Sequence, residues 1–259
     1  MMKRLFYLVL SLLVFAGCHK DDDDSNPVIT ELVGDISFDM VYVKAGSFMM
    51  GASENDEDVQ DREMPEHQVA LTGSYYIGKY EVTQGLWKAV MGDNPSYFPK
   101  GDDYPVEKVS WNNVQEFIAR LNELTGKKYA LPTEAQWEYA ARGGEKSKGY
   151  KYSGSNDLDE VAWYNSNSNN ATNPVGMKAP NELGIYDMTG NVWEWCQDRY
   201  ATYSSDAQTD PVGPENGSTY VLRGGSWNNV AGRCRVSFRS YSKPGNFDSY
   251  WGFRLVLLP

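Results

Sequence analysis

Residues 39–43 and 75–82 alternate apolar and polar side chains, the period of a strand with one face on a core, and each predicts a strand. From Thr83 the spacing changes: Thr83 can cap a short helix that runs to about Met91, and Gly92 ends it. The clearest helical pattern begins at Ser110. There Val114, Phe117, Ile118, Leu121 and Leu124 fall on one face, and Gly126 follows where a left-handed cap is wanted. A third helix is predicted from Thr133, with Gln136 completing a capping box and Gly143 marking the end; Trp137 and Ala140 share one of its faces, and packing is their default role. Beyond Gly143 the residues Gly, Asn, Ser and Pro recur every few positions, so only short strands are predicted, near 220–224, 234–238 and 253–257. Loops carry the second half.

The amino-terminal pattern is of another kind. Lys3 and Arg4 precede an apolar run from Leu5 to Phe15, followed by Ala16, Gly17 and Cys18. That run is shorter than the roughly 20 residues that span a bilayer, and it has the layout of an export signal. Small residues immediately before a cysteine resemble a bacterial lipobox, in which cleavage leaves Cys18 as a lipid-modified amino terminus; the alternative is an ordinary secretory signal with an incidental cysteine. At about 0.8 kcal/mol per buried methylene, several acyl chains on one residue make a durable anchor, so the expected membrane contact is a tether and not a span. Lys20 and Asp21 to Asp24 form a charged run that cannot pack. An acidic stretch in this place resembles the signal that sends lipoproteins of Bacteroidota-type bacteria to the outer face of the outer membrane, and the expected location is the cell surface. The chain is accordingly divided into a leader at 1–17, a lipidated cysteine and acidic tether at 18–37, and one domain at 38–259.

Charge narrows the partners. Lys3 and Arg4 fall in the leader and no acidic residue does, so removing it takes the net charge from −11 to −13. Such a chain gains nothing from counterion release on a phosphate backbone, and no basic stripe is present, so nucleic acid is not an expected partner. The 18 Tyr, 8 Trp and 9 Phe supply enough large apolar surface for a single core even where loops dominate. The sequence has no phosphate-cradling glycine loop and no paired CxxC, and with only His19 and His67 it has no room for a Ser/His/Asp arrangement.

The most specific stretches are GIYDMTGNVWEWC at 184–196, RGGSW at 223–227 and WGFR at 251–254, where glycines, tryptophans and paired charges are joined in a way that neither helix nor strand periodicity requires. With MVYVKAGSFMMG (40–51), YYIGKYEVTQGLW (75–87), YPVEKVSWNNVQEF (104–117) and ALPTEAQWEYAARGG (130–144), they resemble the formylglycine-generating enzyme family, also called the sulfatase-modifying factor domain. The resemblance runs over roughly residues 38–259 and implies an α+β fold: a single domain with a C-type-lectin-like core and little regular secondary structure.

The same resemblance implies metal chemistry. In the enzymes a copper(I) ion is held by two cysteines after the GGS turn, because copper(I) prefers soft thiolates to nitrogen or oxygen. Here the turn is Gly224, Gly225, Ser226; the first ligand position is Asn229 and the second aligns with Ala231. The copper pair is missing, copper is not an expected cofactor, and no catalytic residue is carried over. Once Cys18 is acylated, Cys196 and Cys234 remain, and an even pair in an exported domain is most simply a disulfide. Closing a loop of about 38 residues, it would contribute roughly 3 to 4 kcal/mol in the chain-entropy model; a relocated copper site is the alternative. The resemblance also implies a structural calcium site formed by the carboxylate of Asp187, the carbonyls of Gly190 and Val192 and the carboxylate of Glu194, oxygen ligands of the kind calcium takes. The other reading of Asp187 and Glu194 is that they cap turns and pair with arginines. The iron-dependent sulfoxide synthases of this family need several histidines, and one histidine in the domain excludes that branch.

Arg223, Arg233, Arg235, Arg239 and Arg254 cluster late in an acidic chain. Buried ion pairs with Glu134, Glu138 and Glu194 account for them, and the alternative is that one or two line a cleft. Ser226, Trp227, Asn229, Arg235 and Trp251 are the candidate cleft, since a concave aromatic surface with a few polar groups is the usual ligand site. The expected function is a noncatalytic binding or assembly module, with a protein or exported peptide as partner. A copper-dependent oxidase acting on a sulfatase cysteine is the first alternative, and a glycan-binding, lectin-like module is the second.

Overall fold

The computed structural model describes residues 26–258. The expected leader, the lipidated Cys18 and the acidic run Asp21 to Asp24 lie outside them. Twelve strands occur among the described residues: β1 (Val28–Val33), β2 (Ile36–Val43), β3 (Gly46–Met50), β4 (His67–Leu71), β5 (Tyr75–Gly78), β6 (Tyr129–Ala130), β7 (Trp193–Arg199), β8 (Gln208–Thr209), β9 (Tyr220–Arg223), β10 (Arg239–Ser242), β11 (Trp251–Gly252) and β12 (Val256–Leu257). They form a five-stranded sheet in the order β1-β2-β5-β12-β6, a four-stranded sheet β10-β9-β7-β11 and a three-stranded sheet β3-β4-β8. The helices are α1 (Gln84–Met91), α2 (Trp111–Thr125), α3 (Glu134–Ala141) and the single turn α4 (Leu158–Val161). Sheets dominate and helices are few, as the α+β expectation has it.

The three helix starts follow from local capping chemistry. Thr83 accepts the Leu86 amide, while Ser110 with Asn113 and Thr133 with Gln136 close reciprocal capping boxes. Gly92 and Gly126 end α1 and α2 with φ of +86° and +70°, a region that costs a side chain-bearing residue energy and glycine none. On α2, Val114, Phe117, Ile118 and Leu121 are buried, but Leu124 in the last turn is 61% exposed. The stripe therefore ends one turn earlier than its spacing suggests. α3 is enclosed nearly all round, with Gln136 its one residue that is not buried.

Two departures matter for the site. Residues 28–33, expected within the tether, pair as β1 against β2, because Ile29 and Val33 pack on the core and Glu31 receives the Tyr129 hydroxyl and the Lys127 ammonium. The strand expected at 234–238 is absent. Its residues follow a 3-10 turn at Ala231–Arg233 and reach the sheet only at Arg239, where β10 pairs with β9.

The core has two main parts. One joins α1 and α2 to Trp193, Trp195 and Phe253, with Trp87 stacked on Phe117 at 5.1 Å; the other surrounds Trp137 of α3 with Tyr75, Ile77, Val221 and Cys196. β7 separates them, so its side chains alternate between the two. This alternation puts Trp193 and Trp195 on one side and Glu194 and Cys196 on the other.

Candidate functional site

The GGS turn leaves the end of β9 through two left-handed glycines, Gly224 at φ +94° and Gly225 at φ +74°. A Cβ on Gly225 would lie 2.8 Å from both the Arg233 carbonyl and the Cys234 sulfur, so the turn is seated directly on the segment that follows it. Ser226 is buried, and its Oγ lies 2.8 Å from the side-chain oxygens of both Asn228 and Asn229. Trp227 is fixed at both ends, its amide on the Asn191 carbonyl at 2.8 Å and its indole N–H on the Ser249 carbonyl at 3.2 Å. From it an aromatic row runs along the surface: Tyr97 meets Phe98, Phe98 meets Trp227, Trp227 meets Tyr250, and Tyr250 meets Trp251, which closes on the core ring of Trp195. Tyr97 is 63% exposed, so the row reaches solvent.

Ser226, Trp227, Asn229 and Trp251 thus belong to one region. Arg235 does not join them. Its two terminal nitrogens bond Glu63 at 2.7 Å each and the Asp58 carbonyl at 2.8 Å, which turns it inward. Behind the aromatic row stands a group the sequence reading missed. Glu107 is fully buried; Oε1 accepts the Phe98 amide at 2.7 Å and Oε2 has no partner among the described residues. Burial pushes this carboxyl up to about 7. The sequence signal for it was slight: Glu107 and Lys108 stand as a charged pair between Val106 and Val109.

Three of the five late arginines pair with the expected glutamates, whereas Arg235 pairs with Glu63 and Arg233 is exposed. Arg223 bonds Glu138, Arg239 bonds Glu134 at 2.7 and 2.5 Å, and Arg254 bonds Glu194 at 2.6 and 2.7 Å, all with buried partners. Burial alone would raise Glu134, but Arg239 and Arg223 outweigh it and hold the carboxyl below its ordinary value. These are ion pairs that position β7, β9, β10 and α3 relative to each other.

In the GNVWEW block the chain coils through three left-handed residues, Asp187, Gly190 and Asn191. Asp187 is buried; Oδ2 accepts the Gly176 amide at 2.7 Å and Oδ1 has no partner among the described residues. A carboxylate has about four lone-pair sites, and Glu194 has three of them engaged, by Arg254 Nε, Arg254 Nη2 and Trp137 Nε1. Nearby Glu81 accepts Asn191 Nδ2 and the Val192 amide. Among the described residues this leaves a hard cation the orphaned oxygen of Asp187 and one remaining site on Glu194, whose charge Arg254 already balances.

The donor set for copper does not fit. Asn229 and Ala231 supply no thiolate, and Cys196 and Cys234 are separate free thiols, which corrects the expected disulfide. Cys196 lies on β7 in the cluster around Trp137, whereas Cys234 packs with Tyr152, Leu158 and Val161. Burial raises both, Cys196 well above its ordinary value and Cys234 up to about 12. An even cysteine count carries no information on which side of a sheet each sulfur faces.

Comparison with known proteins fits this geometry. The profile of the sulfatase-modifying factor enzyme 1-like domain matches residues 36–258. The chaperone protein LppX of Paenibacillus barcinonensis is 33% identical over 300 residues, covering 96% of this chain and 95% of its own length. The formylglycine-generating enzyme of Thermomonospora curvata is 33% identical over 225 residues, covering 78% of this chain and 68% of its own. Among solved structures, Treponema denticola variable protein 1 superposes with a TM-score of 0.83 at 34% identity, over 90% of this chain and 99% of that one.

Proposed function

This chain belongs to the family of sulfatase-modifying factor enzyme 1-like domains, with their C-type-lectin-like fold, and from that premise we propose that it is a noncatalytic binding or assembly module of an exported lipoprotein. The observation that carries this reading is Asn229. It occupies the place where the resemblance puts the first copper thiolate, and its side chain is held by Ser226 at the GGS turn. Copper(I) is held by soft sulfur donors, and the two described cysteines are buried in different clusters. Export and lipidation at Cys18 are supported by the leader pattern; the outer membrane surface is the location this reading assigns. The partner is a protein or exported peptide that meets the half-buried Trp227 and Trp251, with the buried Ser226 and Asn229 shaping the turn behind them. Calcium, held by Asp187, the Gly190 and Val192 carbonyls and Glu194, supplies charge that fixes the GNVWEW turn and takes no part in a reaction.

The test is direct. The purified chain, loaded with copper and supplied with oxygen and a cysteine-containing sulfatase peptide, yields no formylglycine above the protein-free control. Measurable turnover overturns the reading in favour of an oxidase.

A second reading, a glycan-binding face, is favoured by the aromatic row from Tyr97 to Trp251. One exposed ring, Tyr97, and half-buried rings beside amide side chains suit neutral sugar rings, and a glycan array without hits removes it.

A further inference from the structure

β1 ends the five-stranded sheet, and the phase of its hydrogen bonds fixes which backbone groups face outward. The Tyr42 amide donates to the Pro27 carbonyl at 2.8 Å, and the Asn26 side-chain amide donates to the Tyr42 carbonyl at 2.7 Å, where proline has no N–H to offer. In an antiparallel pair the bonded positions recur every second residue, so Ile29, Glu31 and Val33 bond Met40, Phe38 and Ile36. The Asp39 carbonyl, opposite Thr30, accepts the Lys79 amide on its other side at 2.9 Å, as that phase requires. The N–H and C=O groups of Val28, Thr30 and Leu32 therefore point away from the sheet, and no turn or loop among the described residues bonds them.

Among the described residues nothing guards this edge. Exposed edges are commonly blunted by lysine, a bulge or very short length. β1 has six residues in unbroken register, more than any other edge strand described, and its one charged residue, Glu31, turns inward to Lys127 and Tyr129. Val28 is 47% exposed and Leu32 66%, with Thr30 exposed between them.

We propose that β1 pairs antiparallel with β1 of a second copy of this chain, the two strands centred on Thr30. In that register Val28 of one copy meets Leu32 of the other and Thr30 meets Thr30, so the three outward residues of each copy complete six backbone hydrogen bonds. Val28 and Leu32 cover each other on one face, and on the other Ile29 stands opposite Glu31, which Lys127 already balances. Sliding the strands two residues one way sets Glu31 against Glu31. Sliding them two residues the other way leaves Leu32 beyond the end of the opposing strand. A second copy thus satisfies every outward group and brings no like charges together.

The acidic runs permit the pairing as well. At about 3.4 Å per residue the two chains leave at Asn26 roughly 27 Å apart, well beyond a screening length of about 8 Å, so Asp21 to Asp24 of the two copies do not confront each other. The contact uses the same patch on both copies and closes at two.

The experiment uses the full chain with Cys18→Ser, in which Cys196 and Cys234 are buried and a thiol added by Thr30→Cys is the reactive one. Bonded positions on adjacent strands stand about 5.5 Å apart at Cα, within reach of a disulfide. Under mild oxidation Thr30→Cys is expected to form a covalent dimer at least about tenfold faster than Ser37→Cys, an exposed site on β2 opposite Leu32, because pairing turns a collision into an intramolecular step. Leu32→Pro removes only an outward N–H, which an edge strand tolerates. Added to Thr30→Cys, it is expected to lower the rate to that of Ser37→Cys while leaving the far-UV circular dichroism unchanged. If Leu32→Pro does not fold, Val28→Lys with Leu32→Lys takes its place, since it sets like charges opposite each other across the pair. Equal rates at the two sites, or cross-linking that the blocking variant leaves intact, overturns the assignment. So does an absence of dimer while the thiol added by Thr30→Cys reacts freely with a maleimide, an outcome that leaves the edge to a different occupant. None of these results bears on oxidase turnover or on the GGS turn.

Discussion

Arg254 donates from Nε and Nη2 to the two carboxylate oxygens of Glu194, at 2.6 and 2.7 Å, with both side chains at 0% exposure. The pair ties the carboxy-terminal WGFR segment to the middle of β7. Removing one partner of a buried pair leaves the other charged and unsatisfied, which costs about 3 to 5 kcal/mol. Arg254→Met is expected to lower unfolding free energy in urea by that amount. By contrast Arg120→Ala, which breaks the exposed i,i+4 pair with Glu116, changes it by less than about 1 kcal/mol. Equal effects from the two substitutions would show that Arg254 and Glu194 are not paired as described.

Glycine positions offer a second comparison. Gly190 has φ +82°, and a Cβ there would lie 2.3 Å from the Trp163 carbonyl oxygen; Gly126 has φ +70° with nothing within 4 Å. Alanine at Gly126 incurs only the left-handed backbone penalty, about 1 to 2 kcal/mol. Gly190→Ala adds a backbone overlap that cannot relax without moving Trp163, so its loss in thermal stability should be clearly the larger. Indistinguishable melting temperatures would mean that the Trp163 backbone is free to move.

The free thiols predict a labelling pattern. In the full chain with Cys18→Ser, Cys196 and Cys234 are both enclosed, so an aromatic disulfide reagent reacts slowly with the native protein. After unfolding without reductant, two thiols titrate. If none titrates, the cysteines are bonded and the separation of the two clusters is wrong.

The features legible in the sequence were those fixed by local chemistry. Thr83, Ser110 and Thr133 announced their helices because a cap needs only the next three residues, and the pairing of Arg223, Arg239 and Arg254 with Glu134, Glu138 and Glu194 followed from counting charges that had to be buried. Arg235 was misassigned to the cleft because its partner Glu63 is 172 residues away and carries no motif. β1 was hidden because its exposed positions, Val28 and Leu32, are apolar while Glu31 is buried, which inverts the alternation of a half-buried strand. Glu107 and Asp198 carry no motif that marks them, since their burial is decided by loops packed over them.

The orphaned Asp187 oxygen makes the effect of chelation specific. If calcium is held there, mass action stabilises the folded state by about 2.7 kcal/mol at a hundredfold excess over the dissociation constant. Added calcium should then raise the melting temperature by several degrees, EGTA should reverse it, and Asp187→Asn should abolish both responses. A calcium response of equal size in Asp187→Asn would place the ion elsewhere.

The pH dependence of stability has a sign set by Asp198. Its carboxyl stands at about 8 in the folded protein against an ordinary value of 3.8, so between those limits the folded state holds a proton that the unfolded chain has released. Stability from this group is fully present below about 4 and is lost as pH rises toward 8, with a slope of at most about 1.4 kcal/mol per pH unit. Glu107 acts in the same direction up to about 7. Glu134, held below its ordinary value by Arg239 and Arg223, contributes with the opposite sign, stabilising above its unfolded value and losing that contribution only at acid pH. The two windows barely overlap, so urea unfolding measured from pH 5 to 8 isolates the carboxyls that burial raises. Across that range Asp198→Asn should flatten the decline and become relatively more stable than the unaltered chain as pH increases, because the amide has no proton to lose. A parallel decline in both proteins would show that Asp198 ionises normally and that its enclosure is not maintained in solution.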